Sequence, residues 1–402
     1  MQLSHFIVRT LSVLGIAAVV AACSGPGASG TVTPSAVARN SQARLAQSAL
    51  GAAGVLEFAY VSNSGSNNVS AYSIDATSGA LTPVQGSPFG AGTYPNSMTI
   101  DPTGRFAYFA NVSSKNVSAF RINANTGALT QVLGSPFAAG NGPNGVAVDP
   151  TGAFAYVCNY GDNDVSAYKI NPTSGALTPV VGSPFPAGTG PQGLTVDPLG
   201  KFVYESNNIS NNVFAFRINA LNGALLPVLG SPFRAGTYPN FVTVDPSGRF
   251  AYVSNNLSNN VSAYTINART GTLTPVAGSP FGAGTGPYGF AITRHSKFAY
   301  LANSGEGTVS AYRIDAPSGA LTPVAGSPFA TGNGPHGVAV DPTGDFAYVT
   351  NNGDDTVSAY TINAHSGRLT PVLGSPFGAG SKPESGIATC RVERGTCKPP
   401  PL

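Results

Sequence analysis

A hexapeptide recurs in this chain at an unvarying interval, and that interval limits the folds open to it. Phe58-Ala59-Tyr60-Val61-Ser62-Asn63 returns with small changes starting at Phe106, Phe154, Phe202, Phe250, Phe298 and Phe346, each copy 48 residues after the last. A period in the forties that contains four strand-like runs is the pattern of a β-propeller blade. A unit of that size cannot bury its own apolar faces, so neighbouring units must stack.

Within one unit, Asn144 to Val148 is a short apolar run, strand A. Asp149-Pro150-Thr151-Gly152 then places Asp, Pro and Gly where a type I turn wants them. Phe154 to Cys158 is strand B, Asn159 to Asp164 a polar loop and Val165 to Ile170 strand C. A Thr173-Ser174-Gly175 turn leads into strand D, Ala176 to Val181. Strands B and C are apolar on both faces, as sheets sandwiched between neighbours are, and no stretch has a helical period. The 50 Gly and 33 Pro, with only 9% charged residues, suit many short strands joined by tight turns.

The two ends of the array complement each other. The first copy begins at strand B near Leu56 without a strand A, and the last is followed by an extra strand A at Gly386 to Thr389. If that last strand enters the first blade as its innermost strand, no sheet edge is left open. The expected fold is therefore all-β: a seven-bladed propeller over residues 55–389, with four antiparallel strands per blade and the C-terminal strand joining the first blade. A tail at 390–402 follows, and the expected state is a monomer.

Residues 1–23 read as an export signal. Arg9 supplies a positive start, and Leu11 to Ala22 is an apolar run too short to span a bilayer. Val20-Ala21-Ala22-Cys23 resembles the lipobox of bacterial lipoproteins, which implies that Cys23 is acylated and becomes the mature N-terminus. Ser24, rather than Asp, implies the outer membrane. Residues 24–54, rich in Ala, Ser, Gly and Thr, read as a flexible tether. The expected location is the cell envelope, with the membrane touched through the lipid anchor only. Cys390 and Cys397, just past the closing strand of a chain bound for an oxidising space, are an expected disulfide. Cys158 fills a slot held elsewhere by Ser, Ala or Thr, and reads as a small buried residue.

Pro143-Asn144-Gly145-Val146-Ala147-Val148-Asp149-Pro150-Thr151-Gly152-Ala153-Phe154-Ala155-Tyr156-Val157 and the literal Tyr348-Val349-Thr350-Asn351 resemble the Tyr-Val-Thr-Asn repeat propellers. They also resemble the related lactonase-type family that includes 6-phosphogluconolactonase. The resemblance covers residues 55–389 and implies the propeller fold. For activity it leaves both lactone hydrolysis and binding or surface-layer roles open. The absence of Trp disfavours the Trp-Asp repeat type.

Several chemistries are excluded. Gly284-Thr285-Gly286-Pro287-Tyr288-Gly289 matches a dinucleotide fingerprint literally, but a short strand follows it where a helix N-terminus would have to meet the pyrophosphate. There is no nucleophile elbow, zinc-protease helix or phosphate loop. Four scattered histidines do not make a metal site, so neither metal nor cofactor is expected. A net charge of +3 without any basic block argues against nucleic acid as a partner.

Comparing one position across the repeats separates scaffold from candidate site. The D to A and B to C loops share one face. There, the position after the loop proline reads Asn96, Asn144, Gln192, Asn240, Tyr288, His336 and Glu384, a ring of polar groups at one mouth of the channel. Tyr94, Tyr238 and Lys382 precede that proline in three blades, and Asp162, Asp164, Glu306, Asp354 and Asp355 lie on the B to C loops. Such a mouth suits a polar, sugar-like ligand bound by Tyr94, Asn96, Asn144, Gln192, Tyr238, Asn240 and Tyr288. His336 and Glu384 belong to neighbouring blades and are the candidate catalytic pair, a base and the carboxylate that orients it. Glu205, in a strand B slot filled elsewhere by apolar residues, and Thr293-Arg294-His295-Ser296-Lys297, in place of one Asp-Pro-Thr-Gly turn, are local departures from the repeat.

Two functional expectations lead. The first is an envelope-anchored propeller that recognises a polar small molecule, a glycan or an envelope protein through this face. The second is a hydrolase opening an extracytoplasmic lactone with His336 and Glu384. A third is a structural surface protein.

Overall fold

The computed structural model describes residues 56–393 and 395–399. Cys23, the leader and the tether lie outside them. The described residues form an all-β propeller of seven sheets, and the repeat unit maps onto a blade as expected. In the third blade strand A is Pro143–Val148, B is Phe154–Asn159 and C is Asp164–Ile170, each antiparallel to the next. The fourth strand departs from the expected Ala176 to Val181. It is broken into Leu177–Pro179 and Phe185–Pro186, both paired with strand C. The break has a local cause: the Ser183 hydroxyl accepts the N–H of Ala167, taking over a position of the ladder, and its counterparts repeat this in every blade.

The ring closes through its ends. Pro383–Glu393 pairs with Glu57–Asn63 in the first sheet, Val61 opposite Ile387 and Phe58 opposite Cys390. The closing strand carries one more residue than its counterparts between the loop proline and the first paired apolar residue: Pro383 to Ile387, against Pro335 to Val338. It then turns back into Thr396–Lys398. Cys390 is buried and disulfide-bonded, while the side chain of Cys397 lies outside the described residues. Cys158 is a free, fully buried thiol whose pKa burial pushes up.

Strand B is buried along its whole length in every blade, and its repeated tyrosine latches one blade to the next. Tyr156 donates its hydroxyl to the carbonyl of Gly223 in the C–D turn of the following blade at 3.1 Å, and Tyr60, Tyr108, Tyr204, Tyr252 and Tyr300 do the same. Gly223 has φ +77°, and a Cβ there would come within 2.3 Å of the Phe154 ring, so only glycine fits. Each such Tyr buries on the order of 150–250 Å² while its one polar atom is satisfied. Arg105, Arg249 and Lys297, at the start of strand B, add a second latch to the carbonyls of Pro172, Ala316 and Ala364. Thr293 keeps the irregular turn of the sixth blade folded, its hydroxyl accepting the Phe298 N–H as Asp101 accepts that of Phe106.

Candidate functional site

Strand A enters at the proline after each D to A loop, and the residue that follows stands at the channel mouth. Its backbone is held from the neighbouring blade. The hydroxyls of Ser62, Ser206, Ser254 and Thr350 donate to the carbonyls of Asn96, Asn240, Tyr288 and Glu384 at 2.5–2.8 Å. The next position is glycine in most blades because successive inner strands approach too closely for a side chain. A Cβ on Gly289 would lie 2.5 Å from the carbonyl oxygen of His336.

The structure brings His336 and Glu384 together, Nδ1 to Oε2 at 2.9 Å, with Glu384 almost completely buried and the His336 side chain 23% exposed. The other carboxylate oxygen accepts from the Ser64 hydroxyl at 2.8 Å and the Asn352 amide at 3.1 Å. Glu384 is thus held at both oxygens, and it fixes the ring that it bonds. Tyr288 stacks on that ring, centroids 4.5 Å apart and planes 7° from parallel, with Phe241 on its far side at 5.6 Å. Tying up Nδ1 leaves Nε2 as the nitrogen free to exchange a proton.

All the remaining ring residues except Asn240 bond to one another rather than standing open. Asn96 donates to Asn144, Asn144 to Gln192 at 3.2 Å, and Gln192 to the Tyr288 hydroxyl at 3.3 Å, passing over Asn240. Asn240 is expected at the mouth but is fully buried, and its amide makes no hydrogen bond among the described residues. Tyr94 faces Glu384 and Ser64; burial and then the Glu384 charge raise its pKa. Burial and the same carboxylate raise that of Tyr288. Tyr238 lies by Tyr160 and also acts on Tyr288.

Tyr94, Tyr238 and Lys382 share a backbone cost. Their φ angles are +59°, +56° and +52°, at a position where the other four blades place glycine. Bulky residues pay roughly 1–2 kcal/mol there. The B to C loop acids serve the scaffold: Asp162, Glu306 and Asp354 accept from Asn141, Thr285 and Asn333 of the preceding D to A loop, Asp355 accepts from the N–H of Lys382, and Asp164 accepts from Asn159. A second tier was not read from the sequence: Ser64, Asn208 and Asn352, each one residue past strand B, bond into the ring. Their column varies from blade to blade as the ring column does, and that variation was the available signal.

An apolar cavity of about 500 Å³ lies at the other end of the channel, lined by residues such as Val148, Ile292, Val340 and Ile387. It contains none of the ring. No cluster of metal-ligating side chains occurs among the described residues.

Known proteins agree with this architecture. The family model described as a lactonase, seven-bladed β-propeller, matches residues 20–144 and 138–330. A candidate 6-phosphogluconolactonase from Bacteroides uniformis superposes with a TM-score of 0.73 at 19% identity, covering 83% of this chain and 99% of its own. The periplasmic gluconolactonase of Pseudomonas aeruginosa superposes with a TM-score of 0.72 at 18% identity, covering 85% and 99%. No curated protein sequence matches the chain. At these identities the solved structures speak for the fold alone, and it is the sequence model that assigns membership: this chain belongs to the lactonase family of seven-bladed β-propellers.

Proposed function

We propose that this protein opens the ring of an unphosphorylated, sugar-type lactone at the polar mouth of the channel. The observation that carries the reading is the His336–Glu384 hydrogen bond of 2.9 Å between neighbouring blades, beside two tyrosine hydroxyls. His336 Nε2 takes a proton from water as its oxygen adds to the lactone carbonyl, and Glu384 stabilises the imidazolium formed. The phenols of Tyr94 and Tyr288 are the donors for the tetrahedral oxyanion. Collapse breaks the ring C–O bond, and the imidazolium returns its proton to the departing alkoxide, leaving a hydroxy acid. The ring itself holds no Lys or Arg, and Lys382 at its edge is the one cation beside the pair among the described residues.

The export signal ending at Cys23 and the name of the Pseudomonas aeruginosa relative both support an extracytoplasmic site of action, with the chain anchored in the envelope by a lipid on Cys23. Mass measurement of the mature N-terminal peptide checks the anchor. A second reading is recognition of a polar ligand, glycan or envelope protein without turnover. It is favoured by the mutual hydrogen bonds of Asn96, Asn144 and Gln192, which make a rigid polar floor.

The test is turnover of a panel of aldonolactones by the full chain, beside His336→Ala and Glu384→Ala. Hydrolysis lowered about 10²–10⁴-fold by His336→Ala supports the base, in line with general-base contributions. Hydrolysis untouched by both variants overturns the assignment. Saturable binding without hydrolysis favours the second reading.

A further inference from the structure

The face opposite the ring, where the A–B and C–D turns lie and where Glu57 opens the first described strand, carries the positive charge of the molecule. Of the Lys and Arg among the described residues only Lys115, Arg234 and Lys382 lie on the ring face. On the turn face none is buried, whereas its exposed acids are limited to Asp75, Asp315, Asp345 and Glu393. Part of this basicity is structural: Arg105, Arg121, Arg217, Arg249, Lys297 and Arg313 latch blades through carbonyls. The rest is not. Lys169, Lys201, Arg269, Arg294 and Arg368 are exposed, and their side chains make no hydrogen bond or ion pair among the described residues.

Three of the cations converge with apolar side chains. Lys201, Arg217 and Arg269 line one recess with Leu199 and Ala220. Leu199 is 61% exposed in an A–B turn position held elsewhere by Thr, Ser or His, and Leu221, beside Ala220 in the C–D turn, is 95% exposed. The one carboxylate in the recess, Asp149, is 3% exposed and accepts the N–H groups of Thr151 and Phe154. Solvated leucines between unpaired cations are costly on a surface that meets only water. They are the combination that enters a lipid–water interface, with leucine in the acyl boundary and cations at the headgroups.

We propose that this patch, Lys201, Arg217 and Arg269 with Leu199 and Leu221, docks the turn face on an anionic phospholipid bilayer. The ring mouth then points away from the membrane. The inference is independent of what the ring binds.

The test is sedimentation of the full chain, carrying Cys23→Ser so that no acyl group contributes, with vesicles of phosphatidylcholine alone or mixed with phosphatidylglycerol. Preferential binding to the mixed vesicles, reversed by salt, is expected. Lys201→Gln, Arg269→Gln and Arg294→Gln, none of which breaks a side-chain bond, should together lower the partition coefficient about a hundredfold, as roughly 1 kcal/mol per basic residue implies. Leu199→Ser with Leu221→Ser should weaken binding at low salt while leaving its preference for the mixed vesicles. Equal affinity for both vesicle types, no binding to either, or indifference to the charge variants would overturn the proposal. So would capture of double-stranded DNA without capture of vesicles.

Discussion

The phenol of Tyr348 donates a hydrogen bond to the carbonyl of Gly79 at 3.1 Å, 269 residues away, repeating across the seam of the ring the contact that Tyr156 makes with Gly223 inside it. The seam is therefore built like any other blade interface, with the extra pairing of Pro383–Glu393 on Glu57–Asn63.

Equal latches should weigh equally. Tyr348→Phe and Tyr156→Phe are each expected to lower the free energy of unfolding by about 1–3 kcal/mol, since a buried glycine carbonyl loses its donor. Urea denaturation measures both. A silent Tyr348→Phe beside a costly Tyr156→Phe would mean the seam is open in solution.

Glu205 is fully buried between the third and fourth blades, and neither of its oxygens is bonded among the described residues. Burial, and then the Asp164 charge, push its pKa well above the usual 4.5. The folded state holds this proton after the unfolded chain has released it, so stability falls as pH rises above about 4.5, by up to roughly 1.4 kcal/mol per pH unit. Glu205→Val, the residue of the first, third, fifth and seventh blades, should be more stable at neutral pH and lose this contribution to the slope. Denaturation midpoints at a series of pH values check it, and parallel curves for the two proteins would refute the buried acid.

Tyr94 stands at φ +59°, where four of the blades have glycine. Tyr94→Gly is expected to gain about 1 kcal/mol in folding stability while lowering activity, because a hydroxyl beside Glu384 is lost. Tyr94→Phe should lower activity without the gain in stability. A Tyr94→Gly protein of unchanged stability would mean that the backbone relaxes at no cost.

Gly289→Ala would place a methyl 2.5 Å from the carbonyl oxygen of His336. The strand must shift, and the imidazole with it, so activity should fall by about 10²-fold, as a 1 Å misplacement does. Steady-state kinetics beside a thermal melt separates this from unfolding. Ser97 and Phe241 occupy the equivalent position in the second and fifth blades.

The spacing of Phe58 and its six counterparts, together with the missing strand A at one end and the spare one at the other, determined the blade count, the order of strands and the closure. Periodicity carries that information because every unit must bury the same apolar faces against the next. The same logic placed His336 and Glu384 on adjacent blades at one mouth. Which ring residues meet was decided only in three dimensions. Gln192 is long enough to reach Tyr288 past Asn240, Asn240 is buried, Glu384 finds Ser64 and Asn352, and the B to C loop acids bond the adjoining D to A loops. A repeat position specifies where a backbone passes, whereas the partner of a polar side chain depends on the length and rotamer of its neighbours around the axis, and those differ in every blade.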